Sequence, residues 1–166
     1  MNEVYLSSEI ITDSIVDGVG LRAVIWFQGC SHNCKNCHNP ETHPFNIGIK
    51  YSLEELYEKI DDFINQDGVT FSGGDPMFQP ESFLEVLKYT KSKGYNIWCY
   101  TGYTYEELSK MKPIYLEILK YIDVLVDGRY DESLQTLNAK YRGSSNQRVI
   151  DIKKTLESES VVTLYE

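Results

Sequence analysis

The sequence predicts an α/β fold, an open, partial (βα) barrel built on a mostly parallel sheet. Short apolar, β-prone runs alternate with amphipathic helical segments from about residue 21 to residue 127, the order that yields a parallel sheet with crossover helices. The chain has 166 residues, against roughly 250 for a full eight-unit barrel, so it supplies only part of one. Polar, glycine-containing stretches follow four of the strands, and in a parallel sheet those ends share the rim where α/β folds bind ligands. A flat doubly wound sheet is the alternative. Residues 1–166 are read as a single domain, long enough for one core and too short for two ordinary ones.

The first strand of the alternation is "LRAVIWFQ" (21–28), apolar and β-prone. A helix is expected over 52–66, because Leu53, Leu56, Ile60, Phe63 and Ile64 fall on one face and Ser52 with Glu55 can form a capping box. "VTFS" (69–72) is a short strand, and 80–93 a helix with Pro80 at its start and Gly94 at its end. "YNIWCYT" (95–101) is a strand. Thr104 and Glu107 cap a helix over 105–111, Pro113 interrupts, and a second short helix runs to about Tyr121. "DVLVD" (123–127) is a strand, followed by a polar stretch with helical character near 131–139. "RVIDI" (148–152) and "VVTLY" (161–165) are short strand candidates.

A formal charge of −9 argues against loose electrostatic binding of nucleic acid, which needs Lys and Arg to neutralise phosphates. The N-terminus lacks the basic start and apolar run of a signal peptide. No apolar stretch approaches the ~20 residues of a membrane helix. The expectation is a cytoplasmic protein in which thiols stay reduced, so its four cysteines suggest metal or catalysis before disulfides.

Three of those cysteines, Cys30, Cys34 and Cys37, share the loop "GCSHNCKNCHNP" with spacing C-x3-C-x2-C. Structural zinc wants four closed ligands, and the fourth would come from His32, His38, His43 or the distant Cys99. A 4Fe–4S cluster usually takes four cysteines, and with three one iron keeps an open position for an external ligand. Both readings fit the loop. The other rim segments are "SGGDP" (72–76), "TGY" (101–103) and "DGRY" (127–130). Gly73 and Gly74 would let a ligand ammonium lie against bare backbone, and Asp75 could pair with it. Thr101 and Asp127, at strand ends, are candidate contacts to a ribose or a cation. Trp26 and Trp98 read as core, and Cys99 as a buried small hydrophobe.

The cysteine triad after a first strand resembles the signature of the radical S-adenosylmethionine family. That resemblance implies a 4Fe–4S cluster on Cys30, Cys34 and Cys37, with the open iron chelated by the amine and carboxylate of S-adenosylmethionine. Reduction by the cluster then breaks the sulfonium C–S bond, giving a 5′-deoxyadenosyl radical that abstracts hydrogen. Family members often carry Glu where Asp75 stands. Many have an aromatic residue near the adenine just before the third cysteine; here that position is Asn36, and His38 follows the cysteine, so both are candidate adenine contacts.

Within the family, "DGVGLR" (17–22) resembles the Asp-Gly-x-Gly-x-Arg segment of glycyl-radical activating enzymes. The short length, "DVLVDGRY" and "RGSSNQRVID" (142–151) look most like the activating component of anaerobic, class III ribonucleotide reductase. The resemblance spans roughly residues 10–152. It implies that the substrate is a glycine Cα–H of the reductase's glycyl-radical subunit, that a flavodoxin-like protein donates the electron, and that neither nucleic acid nor membrane is a partner. Arg142, in the same segment, is expected near the ligand or in a docking surface. An activator of another glycyl-radical enzyme, of the formate-lyase type, and a non-catalytic zinc-binding adaptor are the alternatives.

Overall fold

The computed structural model describes residues 2–32, 40, 43–44 and 47–165. Nine strands and five α-helices are present among them. In chain order these are β1 (Glu3–Leu6), β2 (Ile11–Ser14), β3 (Arg22–Phe27), β4 (Ile49–Ser52), α1 (Leu53–Asp61), β5 (Gly68–Gly73), α2 (Pro80–Ser92), β6 (Asn96–Tyr100), α3 (Tyr105–Lys110), α4 (Pro113–Leu119), β7 (Val124–Asp127), β8 (Arg148–Asp151), α5 (Ile152–Ser158) and β9 (Thr163–Tyr165).

All strands join one sheet in the order β4-β1-β3-β5-β6-β7-β8-β9, with β2 also paired to β3. The central four strands, β3, β5, β6 and β7, are parallel. The flanking pairs are antiparallel. Register sets Phe27 beside Gly73 and Tyr100 beside Val126, so the four parallel strands end together and their following loops converge on one rim.

The strands' period-2 alternation sorts side chains onto two faces. Ala23, Ile25, Phe27, Val69, Phe71, Ile97, Cys99, Leu125 and Ile150 join the main core, together with Leu56 and Ile60 of α1, Phe83 and Leu87 of α2, Leu108 of α3, Ile118 of α4 and Ile152 of α5. The intervening residues take the opposite face, where Trp98, Val124, Val126 and Val149 form a second cluster against Tyr100, Tyr141 and Tyr165.

The expected capping boxes form at both places: Ser52 with Glu55 starts α1, and Thr104 with Glu107 starts α3. The 52–66 helix is shorter than its periodicity suggests. It ends at Asp61, Asn65 takes a left-handed conformation (φ 56°), and Ile64 is exposed. The chain must turn there to reach β5, and Asp67 fixes the turn by pairing its N–H with Leu21 O and its carboxylate with Leu21 N–H. The expected helix near 131–139 is one 3-10 turn, Glu132–Leu134. Asp131 caps that turn, and an isolated bridge from Gln135 to Ser144 then pulls the chain into an extended path.

Candidate active site

A cavity of about 580 Å³ opens on the face opposite the helices, at the shared rim. Its size lies within the roughly 300–1,000 Å³ typical of small-ligand sites. Trp26 of β3, Ser72 and Gly73 of β5 and Tyr100 of β6 form one part of its wall; Gly74, Thr101, Gly102 and Gly128 line the rim. Cys30, His32 and His43 enter from the cysteine loop, Val16 and Asp17 from the segment before β3, and Tyr130, Tyr141, Arg142, Gly143 and Gln147 from the polar stretch after β7. Cys34 and Cys37, like Asn36 and His38, lie outside the described residues.

Cys30 lines the cavity, is partly exposed, and is held by its N–H donating to His43 O (2.9 Å). Cys99 is its opposite: fully buried in the helix-side core, with burial pushing its thiol well up. Of these two, only Cys30 is placed to offer a thiolate to a metal.

Gly73 and Gly74 line the cavity as expected, but the reason Gly73 bears no side chain is different. Its φ is +112°, and a Cβ would run into the Phe27 backbone of β3. Close strand pairing demands that glycine, independently of any ligand. Gly74 N–H donates to Phe27 O (2.9 Å), which ties the two loops together at their bases.

Asp75 does not line the cavity. It is fully buried and accepts four hydrogen bonds. Oδ2 accepts from Thr101 Oγ1 (2.9 Å), Gly102 N (2.9 Å) and His32 Nε2 (2.7 Å); Oδ1 accepts from Met77 N (3.0 Å). The carboxylate expected to pair with a ligand ammonium is thus used to join the loops after β3, β5 and β6. Thr101 lines the cavity, but its hydroxyl is shared between Asp75 and Tyr103 N–H (3.1 Å).

Asp127 also departs from expectation. It is buried away from the cavity and pairs bidentately with Arg148, Nε at 3.1 Å and Nη2 at 2.6 Å. It also accepts from Tyr105 N–H at the start of α3 (2.7 Å). Arg148 reaches Glu106 as well (2.6 Å), and these two carboxylates hold its guanidinium well above its ordinary pKa. Asp127 therefore clamps β7, β8 and α3 together and is not placed to contact a ribose or a free cation. Arg142 does line the cavity, oriented by donation from Nη1 to Gln147 O (3.2 Å). Gln147 fixes that loop further: its Oε1 accepts from Gly143 and Ser144 N–H, and its Nε2 donates to Gly128 O.

Arg22 of "DGVGLR" is 1 % exposed. It donates to Thr70 Oγ1 and to the carbonyls of Val19, Val69 and Asn96, and it lies 5.5 Å from the Trp98 ring centroid. Burial pushes its guanidinium down to about 10. Thr70 passes the connection on by donating to Asp17 O (2.6 Å), so a buried cation braces the strip that brings Asp17 to the cavity wall.

Sequence reasoning missed His32 as a positioned group, and it missed Trp26, Tyr100, Tyr141 and Gln147 as cavity residues. Alternation contains a signal for two of them. Once Ile25 and Phe27 face the helices, Trp26 must face away, and Tyr100 follows from Cys99 in the same way. The others depend on loop paths that no periodicity encodes.

Comparisons with known proteins place the chain in a family. The family model of the 4Fe-4S single cluster domain matches residues 16–150. The anaerobic ribonucleoside-triphosphate reductase-activating protein of Vibrio cholerae is 36% identical, over 80% of this chain and 89% of the relative. That of Pasteurella multocida is 34% identical over the same shares, and that of Enterobacteria phage T4 is 33% identical over 81% and 86%. Among solved structures, QueE from Escherichia coli aligns with a TM-score of 0.50 at 18% identity, covering 60% of this chain and 53% of QueE, which shows a shared fold alone. The cluster-domain match and these relatives favour an iron–sulfur protein over the zinc adaptor and a reductase activator over a formate-lyase type. The chain belongs to the anaerobic ribonucleoside-triphosphate reductase-activating proteins and carries the 4Fe-4S single cluster domain.

Proposed function

We propose that this chain activates an anaerobic ribonucleotide reductase by removing a hydrogen atom from a glycine Cα of that partner, using a 4Fe–4S cluster held by Cys30, Cys34 and Cys37 and S-adenosylmethionine bound in the adjoining cavity. The observation that carries the reading is the position of Cys30. The first thiol of a C-x3-C-x2-C loop opens onto a ligand-sized cavity at the rim of a parallel sheet. The donor set suits the group, since three cysteines within eight residues supply three soft ligands and leave a fourth position open.

When bound, the reduced cluster and S-adenosylmethionine supply the hydrogen-abstracting chemistry. The chain supplies placement and exclusion. Gly74 adds no side chain to the rim; with Asp75 taken up by its own partners, backbone carbonyls there and the Asp17 carboxylate on the cavity wall are left to receive a ligand ammonium. Arg142 is placed to receive a ligand carboxylate or the partner's backbone. Trp26, Tyr100 and Tyr141 wall the cavity with aromatic surface that keeps water from a reactive centre. Burial, and then the nearby Asp17 charge, push the Tyr100 hydroxyl far up, so it stays protonated there. The partner's glycine segment would enter from the side that a complete barrel would close.

The electron donor is read as flavodoxin-like and the location as cytoplasmic; no helix among the described residues is long and apolar enough to cross a membrane. Residues 1–166 are read as one domain. The test is electron paramagnetic resonance on reduced, cluster-loaded protein mixed anaerobically with S-adenosylmethionine and either an anaerobic reductase or a formate lyase. A glycyl radical signal with the reductase supports the proposal. A signal only with the lyase reassigns the partner, and stoichiometric zinc without iron uptake overturns the cluster.

A further inference from the structure

Between the first two cysteines of the loop stands His32, and its side chain is only 4 % exposed. Nε2 lies 2.7 Å from Asp75 Oδ2, 43 residues away in sequence. A carboxylate oxygen only accepts, so the imidazole donates. The ring is boxed in by Tyr103 (centroids 4.6 Å) and Phe78 (5.1 Å). It also fills the space over Gly102, where a Cβ would come within 2.5 Å of His32 Cδ2. Asp75 cannot drift to follow it. Its other contacts are to Thr101, Gly102 and Met77, and its own N–H donates to Gly29 O (2.9 Å) at the base of the cysteine loop.

We infer that His32 is a positioning residue for the cluster: it latches the Cys30–His32 start of the cysteine loop onto the buried Asp75, which fixes that stretch against the ends of β5 and β6 before any metal arrives. The inference rests on the reading of Cys30, Cys34 and Cys37 as the cluster ligands. A loop carrying three ligands must be ordered to bind, and fixing its start in advance removes part of that cost from the binding step. Asp75 then acts toward the cluster through His32, not toward the nucleotide through an ammonium. The Gly-Gly-Asp-Pro turn and the cysteine loop become one device, with Gly102 a glycine because the imidazole needs its space.

The test uses full-length His32→Ala, His32→Gln and Gly102→Ala. In cluster-loaded protein, His32→Ala is expected to lose iron to a chelator roughly ten-fold faster, the effect of removing an outer partner of a metal site. The spectrum of its reduced cluster with S-adenosylmethionine should broaden. His32→Gln keeps an N–H that can reach Asp75 and should recover most of the retention; Gly102→Ala should resemble His32→Ala by displacing the ring. In protein stripped of metal, iodoacetamide should alkylate the loop cysteines several-fold faster in His32→Ala than in the unaltered chain. That arm needs no cluster, so it separates failure of the latch from failure of the ligand assignment. Iron loss and alkylation both unchanged in His32→Ala and Gly102→Ala would overturn the latch. Unaltered protein that takes up no iron, yet shows the alkylation difference, would overturn only the cluster.

Discussion

The two faces of the sheet are built from the same strands and obey different rules. Facing the helices, residues such as Ile25, Phe27, Val69, Phe71, Ile97 and Leu125 are apolar and fully buried. On the opposite face, which the cavity shares, Arg22, Thr70, Ser72 and Tyr100 stand among the apolar Val24, Trp26, Trp98, Val124 and Val126. Burial of apolar surface is enough to explain the first face. It cannot explain a guanidinium 1 % exposed, which is tolerated only because its N–H groups find Thr70 and three carbonyls. The helix face therefore holds the fold together, and the cavity face spends part of that stability on polar groups set in fixed positions.

The largest expected effect is on the helix side. Phe71 packs edge-on against Phe27 and Phe83 at centroid distances of 6.2 and 5.2 Å. Phe71→Ala should destabilise the chain by about 3–5 kcal/mol in chemical denaturation, the cost of a large cavity in a close-packed core. Next comes the buried cation. Arg22→Met keeps much of the volume but leaves the Val69 and Asn96 carbonyls without the guanidinium. A loss of about 2–3 kcal/mol is expected from the hydrogen bonds of the charged donor that go with it. A negligible change would mean that the cavity face follows the same purely apolar rule as the other.

Trp26 sharpens the contrast in the other direction. It lines the cavity and is only partly buried. Trp26→Leu should change stability by no more than about 1 kcal/mol. Its affinity for S-adenosylmethionine, read by equilibrium dialysis of the cluster-loaded protein, should fall about ten-fold, the equivalent of ~1.4 kcal/mol of lost aromatic contact. The smallest effect lies at the sheet's edge. Hydrogen bonds from Arg148 hold the Glu106 carboxyl below its ordinary range. A carboxyl with a depressed folded-state value stabilises above its unfolded value and loses that contribution as pH falls through the folded one. The melting-temperature gap between native protein and Glu106→Gln should therefore be present at neutral pH and shrink as pH falls below the ordinary glutamate value of about 4.3. Because Glu106 is half exposed, the gap should correspond to less than about 1 kcal/mol.

The contrast also explains what the sequence made legible. The helix face is periodic, so α2, the four parallel strands and both capping boxes could be read from spacing alone. Strands β1, β2 and β4 have four residues each and, unlike the equally short β7, no uninterrupted aliphatic run to mark them, and the segment that forms α5 is largely polar. On the cavity face the motifs located the rim but not each residue's job there. Asp75 and Asp127 look like ligand-binding carboxylates because both end strands beside glycine. Only the fold shows that each already has neighbours filling its lone pairs: His32, Thr101, Gly102 and Met77 for Asp75, Arg148 and Tyr105 for Asp127. The cysteine triad stands out in the sequence because metal chemistry dictates residue type and spacing together. His32, between its members, was not, because its partner comes from another strand.

Cys30 and Cys99 place the same thiol on the two faces, and comparing them tests the central claim most directly. Iron and acid-labile sulfide should be measured after anaerobic reconstitution of Cys30→Ser and Cys99→Ser. The predicted result is near-complete loss of both in Cys30→Ser and about four of each per chain retained in Cys99→Ser, as a single four-iron cluster requires. Full iron and sulfide in Cys30→Ser, or their loss in a folded Cys99→Ser, would contradict a cluster seated at the cavity face.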